Sequence, residues 1–247
     1  MNEFVRPLEA ESASNSVALI PVAGVELEAL PPGALWWSDQ RLLVVADLHL
    51  EKGSSFARRG WMLPPYDTRT TLSALTMLIA DLDPRIVVTL GDSFHDGQAM
   101  ERMLPADREQ LIGLQRGRDW IWIAGNHDPA PPVGLGGIST ETITIGPLTF
   151  RHEPTAGDAL GEVAGHLHPA ARVSGRLGSI RSRCFAGDGM RMVMPAFGAY
   201  SGGLNVLHQA FAGIVPQGRI RCWMLGKNQL YEVRRSALRH DDMRLAS

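Results

Sequence analysis

The sequence predicts an α/β protein in which two packed sheets are flanked by helices. Three continuous apolar runs, at residues 41–46, 86–90 and 120–124, have the composition of strands that are buried on both faces. Helical stretches separate these runs, whereas short strand-like segments dominate the chain after residue 138. Because alternating strands and helices are followed mostly by strands, we expect two sheets that pack on each other.

The first half of the chain contains a β-α-β arrangement. Besides the three apolar runs, its predicted elements are strands at 17–28 and 34–37 and helices at 66–82 and 100–115. The segment Pro31-Pro32-Gly33 separates the two short strands, since its residue types favour a turn. The apolar residues of the first helix recur every 3.6 residues, as they do on one face of a helix. Pro105 breaks or starts the second helix.

The second half is predicted to be mostly strands. Its predicted elements are a hairpin of 142–145 and 148–151, strands at 162–164 and 190–194, and a final hairpin of 221–225 and 229–233. The Pro-rich segment 129–137 is a predicted surface loop. The chain shows no internal repeat or linker, so we expect residues 17–247 to form one domain after a disordered polar N-terminus at residues 1–16.

The composition is that of a globular protein. With 247 residues, of which 45% are hydrophobic, the chain can bury a proper core. No apolar run approaches a membrane span, and residues 1–16 lack the basic-then-apolar pattern of a signal. Cys184 and Cys222 are the two cysteines, which is typical of a reducing compartment, so we expect a cytoplasmic protein outside the membrane. The net charge of −2 gives no general indication of nucleic-acid binding.

Five short motifs stand at or near the ends of the strand-like runs. They are Asp47-Leu48-His49, Gly91-Asp92, Gly125-Asn126-His127-Asp128, a lone His152 and Gly165-His166-Leu167-His168. Together they offer two Asp, one Asn and four His as metal ligands, with His127 beside a ligand. That inventory indicates two divalent cations held close together, which is an arrangement that cleaves phosphoesters.

The spacing within the motifs suits metal binding. Asp47 and His49 are two residues apart just past a strand, so their side chains project to the same side and reach one ion. The same spacing of two residues directs the side chains of His166 and His168 to the same side of the chain. Gly91 lets the turn bring the backbone close to the ions. Mixed oxygen and nitrogen ligands favour Mn, Fe or Zn over Mg.

The ordered set resembles the calcineurin-like metallophosphoesterase superfamily, whose pattern is D-x-H, G-D, G-N-H-[DE], H and G-H-x-H. Residues 151–154 and 194–204 are similar to its bacterial DNA-ligase-associated branch. The resemblance implies a four-layer α/β/β/α sandwich with two metal ions, of which Mn is the first choice and Fe or Zn the alternatives. It implies the following ligands: Asp47, His49 and His168 for the first ion, Asn126, His152 and His166 for the second, and Asp92 as the bridge.

Two further residues of the motifs have expected catalytic roles. His127 follows Asn126 directly and is therefore expected near the scissile group, where it stabilises transition-state charge or protonates the leaving oxygen. Asp128 is expected to orient His127. His95 and Asp96 leave two interpretations open, contact with substrate or capping of the following helix.

The sequence therefore predicts a binuclear-metal phosphodiesterase. The branch resemblance implies a DNA endonuclease that acts in DNA repair with a partner DNA ligase and helicase. One alternative is a phosphodiesterase or pyrophosphatase for small nucleotides. Another is a protein-binding scaffold that kept the fold and lost catalysis, although the complete ligand set argues against it.

Two residue groups outside the motifs could bear on the substrate. Trp36, Trp37, Trp120 and Trp122 are expected to pack in the core, and nucleobase stacking is the alternative. The segment 172–191 carries five arginines against one acidic residue, Asp188. We expect it to be a solvated face, with a track for DNA as the alternative.

Overall fold

The computed structural model describes residues 5–7, 17–61, 63–64, 66–129, 134–175 and 178–241. In chain order, the strands are β1 (Val5–Pro7), β2 (Ala18–Val22), β3 (Val25–Leu30), β4 (Ala34–Trp37), β5 (Leu42–Val45), β6 (Ile86–Leu90), β7 (Asp119–Ile123), β8 (Ile138–Thr140), β9 (Thr142–Ile145), β10 (Leu148–Arg151), β11 (Glu162–Ala164), β12 (Pro169–Gly175), β13 (Gly178–Gly187), β14 (Met192–Val193), β15 (Leu204–Asn205), β16 (Arg221–Leu225) and β17 (Leu230–Arg234). The α-helices are α1 (Lys52–Arg58), α2 (Asp67–Leu82), α3 (Ala99–Arg102) and α4 (Pro105–Gln115).

The first sheet follows chain order from β2 to β8. Its strands are antiparallel from β2 to β5 and parallel from β5 to β8. The three apolar runs form β5, β6 and β7, as predicted. The segment 17–28, predicted as one strand, is instead two strands, because Ala23 and Gly24 adopt positive φ angles of 49° and 83° and turn the chain.

The second sheet has the order β1-β17-β16-β13-β14-β11-β10-β9, and β12 pairs with β13 and β15. The predicted hairpins β9–β10 and β16–β17 are both present. The antiparallel pair β12–β13 was not predicted, because its polar and arginine-rich sequence lacks an apolar alternation. The expectation of a disordered N-terminus is wrong at Val5–Pro7, which pairs with β17 through backbone hydrogen bonds; the rest of 1–16 lies outside the described residues.

The main core lies between the two sheets. Val44, Val88 and Ile121 of the first sheet meet Phe150 and Phe185 of the second in one buried cluster. Burying a large apolar side chain contributes about 1.5–3 kcal/mol. This layer therefore holds the two sheets face to face and fixes how their edges meet.

The outer face of the first sheet is covered by helices. Leu72, Leu75 and Ile79 of α2 and Leu111 of α4 pack with the buried residues of β5, β6 and β7. The predicted helix at 66–82 is confirmed, and the predicted helix at 100–115 is divided into α3 and α4 just before Pro105. The expected core packing of the tryptophans is confirmed for Trp36, Trp37, Trp120 and Trp122.

The outer face of the second sheet is covered by the segment 204–220. Phe211, Val215 and Ile220 pack on the buried Cys184 and Cys222 of β13 and β16. The predicted layered sandwich of two mixed sheets is confirmed. Its fourth layer consists of this segment, which contains a short 3-10 helix rather than an α-helix. Among the described residues, no helix combines the length and apolar character that a membrane span requires.

Candidate metal centre

The five motifs meet at one edge of the two sheets. Asp47 and Asp92 follow the parallel strands β5 and β6, and the motif 125–128 follows β7. On the second sheet, His152 follows β10, and the motif 165–168 follows the parallel neighbour β11. Because parallel strands bring their carboxyl ends to a common edge, this topology gathers residues that are far apart in sequence.

Five of the proposed ligands have left-handed backbones. They are Asp47 (φ 51°), His49 (φ 44°), Asp92 (φ 45°), His166 (φ 67°) and His168 (φ 44°). Such conformations cost about 1–3 kcal/mol each in non-glycine residues and persist only where the surroundings hold them. Backbone hydrogen bonds hold the loops after β5 and β6 together. The N–H of His49 donates to the Asp92 carbonyl at 2.9 Å, and the N–H of Leu50 donates to the Ser93 carbonyl at 2.9 Å.

The first cluster consists of Asp47, His49 and His168. The Nε2 atoms of the two histidines are 3.2 Å apart, and Nε2 of His168 lies 3.3 Å from Oδ1 of Asp47. Burial, and secondarily His168, lowers the pKa of His49 to about 2. A neutral imidazole keeps a nitrogen lone pair, which a metal ligand needs.

The second cluster consists of Asp92, His152 and His166. Nε2 of His152 is 3.5 Å from Oδ1 of Asp92 and 3.2 Å from Nδ1 of His166. Nδ1 of His152 lies 2.8 Å from the Leu90 carbonyl, to which it donates, so Nε2 carries the free lone pair. This type of hydrogen bond fixes the tautomer of a metal-binding histidine.

The two clusters are adjacent. Oδ1 of Asp47 lies 3.7 Å from Nδ1 of His152, and Oδ2 of Asp47 accepts a 3.0 Å hydrogen bond from the His166 backbone. Within each cluster, the ligand atoms lie within 4.8 Å of one another. A carboxylate with two imidazole nitrogens facing a common point fits a divalent transition metal or zinc. The two sites therefore fit the predicted pair of ions.

Glycines leave room for this packing. A Cβ atom at Gly91, whose φ is 70°, would lie 2.5 Å from the ring of His152. A Cβ atom at Gly165 would lie 2.7 Å from Oδ2 of Asp47. A side chain at either position would displace a ligand.

Asn126 lies beside the second cluster. It is exposed, and it lines a small cavity of about 160 Å³ with His152 and Arg151. Asn126 and His152 therefore face the same cavity. The roles of Asn126 as a ligand and of Asp92 as a bridge stay predictions.

His127 is oriented by an unexpected partner. Its ring Nδ1 lies 2.9 Å from the backbone carbonyl of His95, to which it donates, and its Nε2 lies 3.9 Å from Oδ2 of Asp92. The side chain is 47% exposed, so Nε2 is accessible to a substrate. The backbone N–H of His127 also donates to Oδ1 of Asp92 at 2.9 Å.

The expectation that Asp128 orients His127 is wrong. Oδ2 of Asp128 accepts a 3.1 Å hydrogen bond from the backbone of Phe94, which joins the loop after β7 to the loop after β6. Burial raises the pKa of Asp128 to about 7. No sequence signal indicated that the carbonyl of His95 would be the partner, because a backbone acceptor depends on loop geometry alone.

The two other motif neighbours act locally. Asp96 accepts a hydrogen bond from the backbone of Gln98 at 3.0 Å and pairs with Arg102 at 2.9 Å, so its bonds are those of a turn and an ion pair. His95 is half-buried and stacks on His127, with ring centroids 5.4 Å apart. The substrate interpretation stays open for His95.

Three arginines of the segment 172–191 are bound within the protein, and Arg176 lies outside the described residues. Arg191 is 3% exposed and pairs with Glu162. Arg183 donates to the Ala196 carbonyl at 2.5 Å, and burial lowers its pKa. Arg181 pairs with Asp241 at 3.1 Å. The expected solvated face is therefore wrong for Arg183 and Arg191, whose side chains hold neighbouring segments in place.

The fold and the paired clusters define a metal-dependent phosphoesterase. The chain belongs to the calcineurin-like phosphoesterase family, whose pattern matches residues 40–191 and therefore more than half of the chain. The structure of Pseudomonas putida nuclease MPE is similar, with 26% identity and a TM-score of 0.66 over 88% of this chain and 100% of that chain. Yfce, a phosphoesterase from E. coli, is 14% identical with a TM-score of 0.35 over 75% of this chain and 88% of that chain. No curated protein matches the chain.

Proposed function

We propose that this metallophosphoesterase is a DNA endonuclease that hydrolyses phosphodiester bonds with two Mn ions. The carrying observation is the pair of adjacent Asp-His-His clusters with the exposed ring of His127 beside them. The similarity to the nuclease from Pseudomonas putida, which extends over the whole of that chain, supports nucleic acid as the substrate class.

The chain's own residues have distinct parts in the proposed reaction. When bound, two such cations supply positive charge to the phosphate and lower the pKa of water. Water attacks phosphorus, and the bond from phosphorus to the leaving oxygen breaks. The attacking water releases its proton to solvent. In its doubly protonated form, His127 donates the Nε2 proton to the leaving oxygen and keeps the Nδ1 proton that it donates to the His95 carbonyl. The His127 backbone N–H holds the carboxylate of Asp92 in place.

The biological setting is part of the proposal. The similarity of residues 151–154 and 194–204 to the DNA-ligase-associated branch supports a role in DNA repair with a ligase and a helicase. The two free and buried cysteines support a location in the reducing cytoplasm.

A second candidate function is hydrolysis of a small nucleotide. The net charge of −2 favours it, because a protein without a general positive field does not concentrate a polynucleotide at its surface.

A substrate panel with Mn separates the two functions. The panel contains a chromogenic monoester, a chromogenic diester, a cyclic nucleotide, a nucleoside diphosphate, single-stranded DNA and duplex DNA. Internal cleavage of a circular DNA strand, which has no ends, supports the endonuclease. Turnover of the small nucleotides with no cleavage of either DNA would reject it in favour of the second candidate.

A further inference from the structure

A row of aromatic rings leads away from the metal centre. The rings of His127 and His95 are stacked at an angle of 21°. The ring of His95 contacts that of Phe56 in α1, with centroids 5.7 Å apart. The backbone of Trp61 donates to the Phe56 carbonyl at 3.0 Å. The row therefore connects the proposed catalytic group with the loop between α1 and α2.

This loop exposes two large aromatic side chains. Trp61 is 68% exposed and Tyr66 is 63% exposed. Pro64 of this loop is attached to the rest of the protein, because its carbonyl accepts a hydrogen bond from the Tyr200 hydroxyl at 2.9 Å. Trp61 and Tyr66 therefore offer two solvent-exposed rings, and an exposed ring is a surface on which an unpaired base can stack.

Basic side chains accompany the rings. Lys52 begins α1 and follows Leu50 by two residues, and the Leu50 carbonyl accepts a hydrogen bond from the His95 backbone at 2.9 Å, which places Lys52 beside the row of rings. Arg59 is exposed, and its guanidinium makes no hydrogen bond or ion pair with the described residues. Both side chains can therefore contact phosphates of a polynucleotide near the centre.

Two acidic residues nearby are directed inward. Glu51 is buried and accepts a hydrogen bond from the Thr68 hydroxyl at 2.8 Å. Asp67 is buried and accepts one from the backbone of Gly53 at 2.9 Å. Asp96, beside His95, is partly exposed and pairs with Arg102 at 2.9 Å, so each of these three carboxylates has a partner within the protein.

We propose that Phe56, Trp61 and Tyr66, with Lys52 and Arg59, form a stacking surface that holds a single-stranded DNA segment next to the scissile phosphate. An unpaired base has an open face for an aromatic ring, and such stacking tolerates any sequence. In a duplex, the neighbouring base pairs cover those faces. The proposal rests on the proposed nuclease function and goes beyond it, since it names a binding surface and the form of the substrate.

The test compares Trp61→Ala with wild type on two substrates. Loss of one stacking contact should lower kcat/KM for a single-stranded oligonucleotide, relative to kcat/KM for bis(4-nitrophenyl) phosphate, by about tenfold. Trp61→Phe should recover most of this ratio, because it restores a ring. Met77→Ala removes an exposed apolar side chain from α2 and serves as the matched control. Fluorescence anisotropy in EDTA should show weaker binding of the labelled oligonucleotide to Trp61→Ala in the absence of turnover.

An abasic oligonucleotide makes the test specific for stacking. Tetrahydrofuran units replace its nucleosides, so it has no bases to stack. Wild type should therefore bind it more weakly than the normal oligonucleotide, and Trp61→Ala should bind it as well as wild type does. Two results would overturn the stacking surface while leaving the nuclease function intact. One is a ratio of the two kcat/KM values in Trp61→Ala that lies within twofold of the wild-type ratio. The other is a loss of affinity in Trp61→Ala that is as large for the abasic strand as for the normal oligonucleotide. Absence of oligonucleotide cleavage by wild type, with the diester still hydrolysed, would overturn both proposals.

Discussion

Nε2 of His49 and Nε2 of His168 lie 3.2 Å apart although 119 residues separate them in the chain. One follows a strand of the first sheet, and the other follows a strand of the second. The contact therefore depends on the face-to-face packing of the two sheets. Anything that shifts one sheet against the other changes the geometry of the first cluster.

Replacing Asp92 tests the second cluster. Asp92→Asn keeps the shape of the side chain and removes the charge that faces His152 and His127. We expect a loss of bound metal and of diesterase activity, because a neutral amide attracts a divalent cation less than a carboxylate does. Elemental analysis of the purified variant measures the metal content. Asp96→Asn is the control from the same loop, and a full complement of two ions in Asp92→Asn would refute the assignment.

Replacing His127 separates chemistry from metal binding. His127→Asn should retain the metal content and lower kcat by about 10²–10⁴-fold, as expected for loss of a positioned acid. The loss should be smaller for a diester with a good leaving group, which needs less protonation. His240→Asn, at an exposed position, should match wild type in this comparison. Equal losses for good and poor leaving groups would exclude the role as an acid.

The glycine before Asp92 should be essential for metal binding. Gly91→Ala combines a positive φ with a Cβ atom 2.5 Å from the His152 ring, whereas Gly24→Ala combines a similar φ of 83° with open space. Both variants should lose about 1 kcal/mol of stability from the backbone, and only Gly91→Ala should also lose metal affinity. Chemical denaturation and metal titration check the two effects. Equal metal affinity in both variants would contradict the proposed contact.

The buried ion pair between Arg191 and Glu162 should stabilise the fold rather than bind DNA. Arg191→Met removes the buried cation of this pair, leaves Thr155 and, at 3.8 Å, Arg151 as the partners of Glu162, and should cost about 3–5 kcal/mol of unfolding free energy. The exposed pair of Arg85 with Asp119, at 3.9 Å, is the control. Arg85→Met should cost about 1 kcal/mol or less. Urea denaturation measures both, and an unchanged free energy in Arg191→Met, with weaker DNA binding, would restore the interpretation of this segment as a DNA track.

The sequence alone determined the strands of the core and the metal-binding residue types. Continuous apolar runs identified β5, β6 and β7, because burial on both faces leaves a local pattern. The motifs around Asp47, Asp92 and His166 were recognisable for a similar reason, since spacing of two residues or an adjacent glycine is a local property. The predicted clusters contain the residues that the structure brings together.

Tertiary structure decided the relationships between segments. The carbonyl of His95, rather than Asp128, holds His127, and the carbonyl of Leu90 holds His152. Every residue has a backbone carbonyl, so no sequence pattern marks the one that will face a histidine. The pairing of β12 with β13 and the internal bonds of Arg183 also escaped prediction. The two strands lack an apolar alternation, and the acceptor for Arg183 is again a backbone carbonyl, that of Ala196.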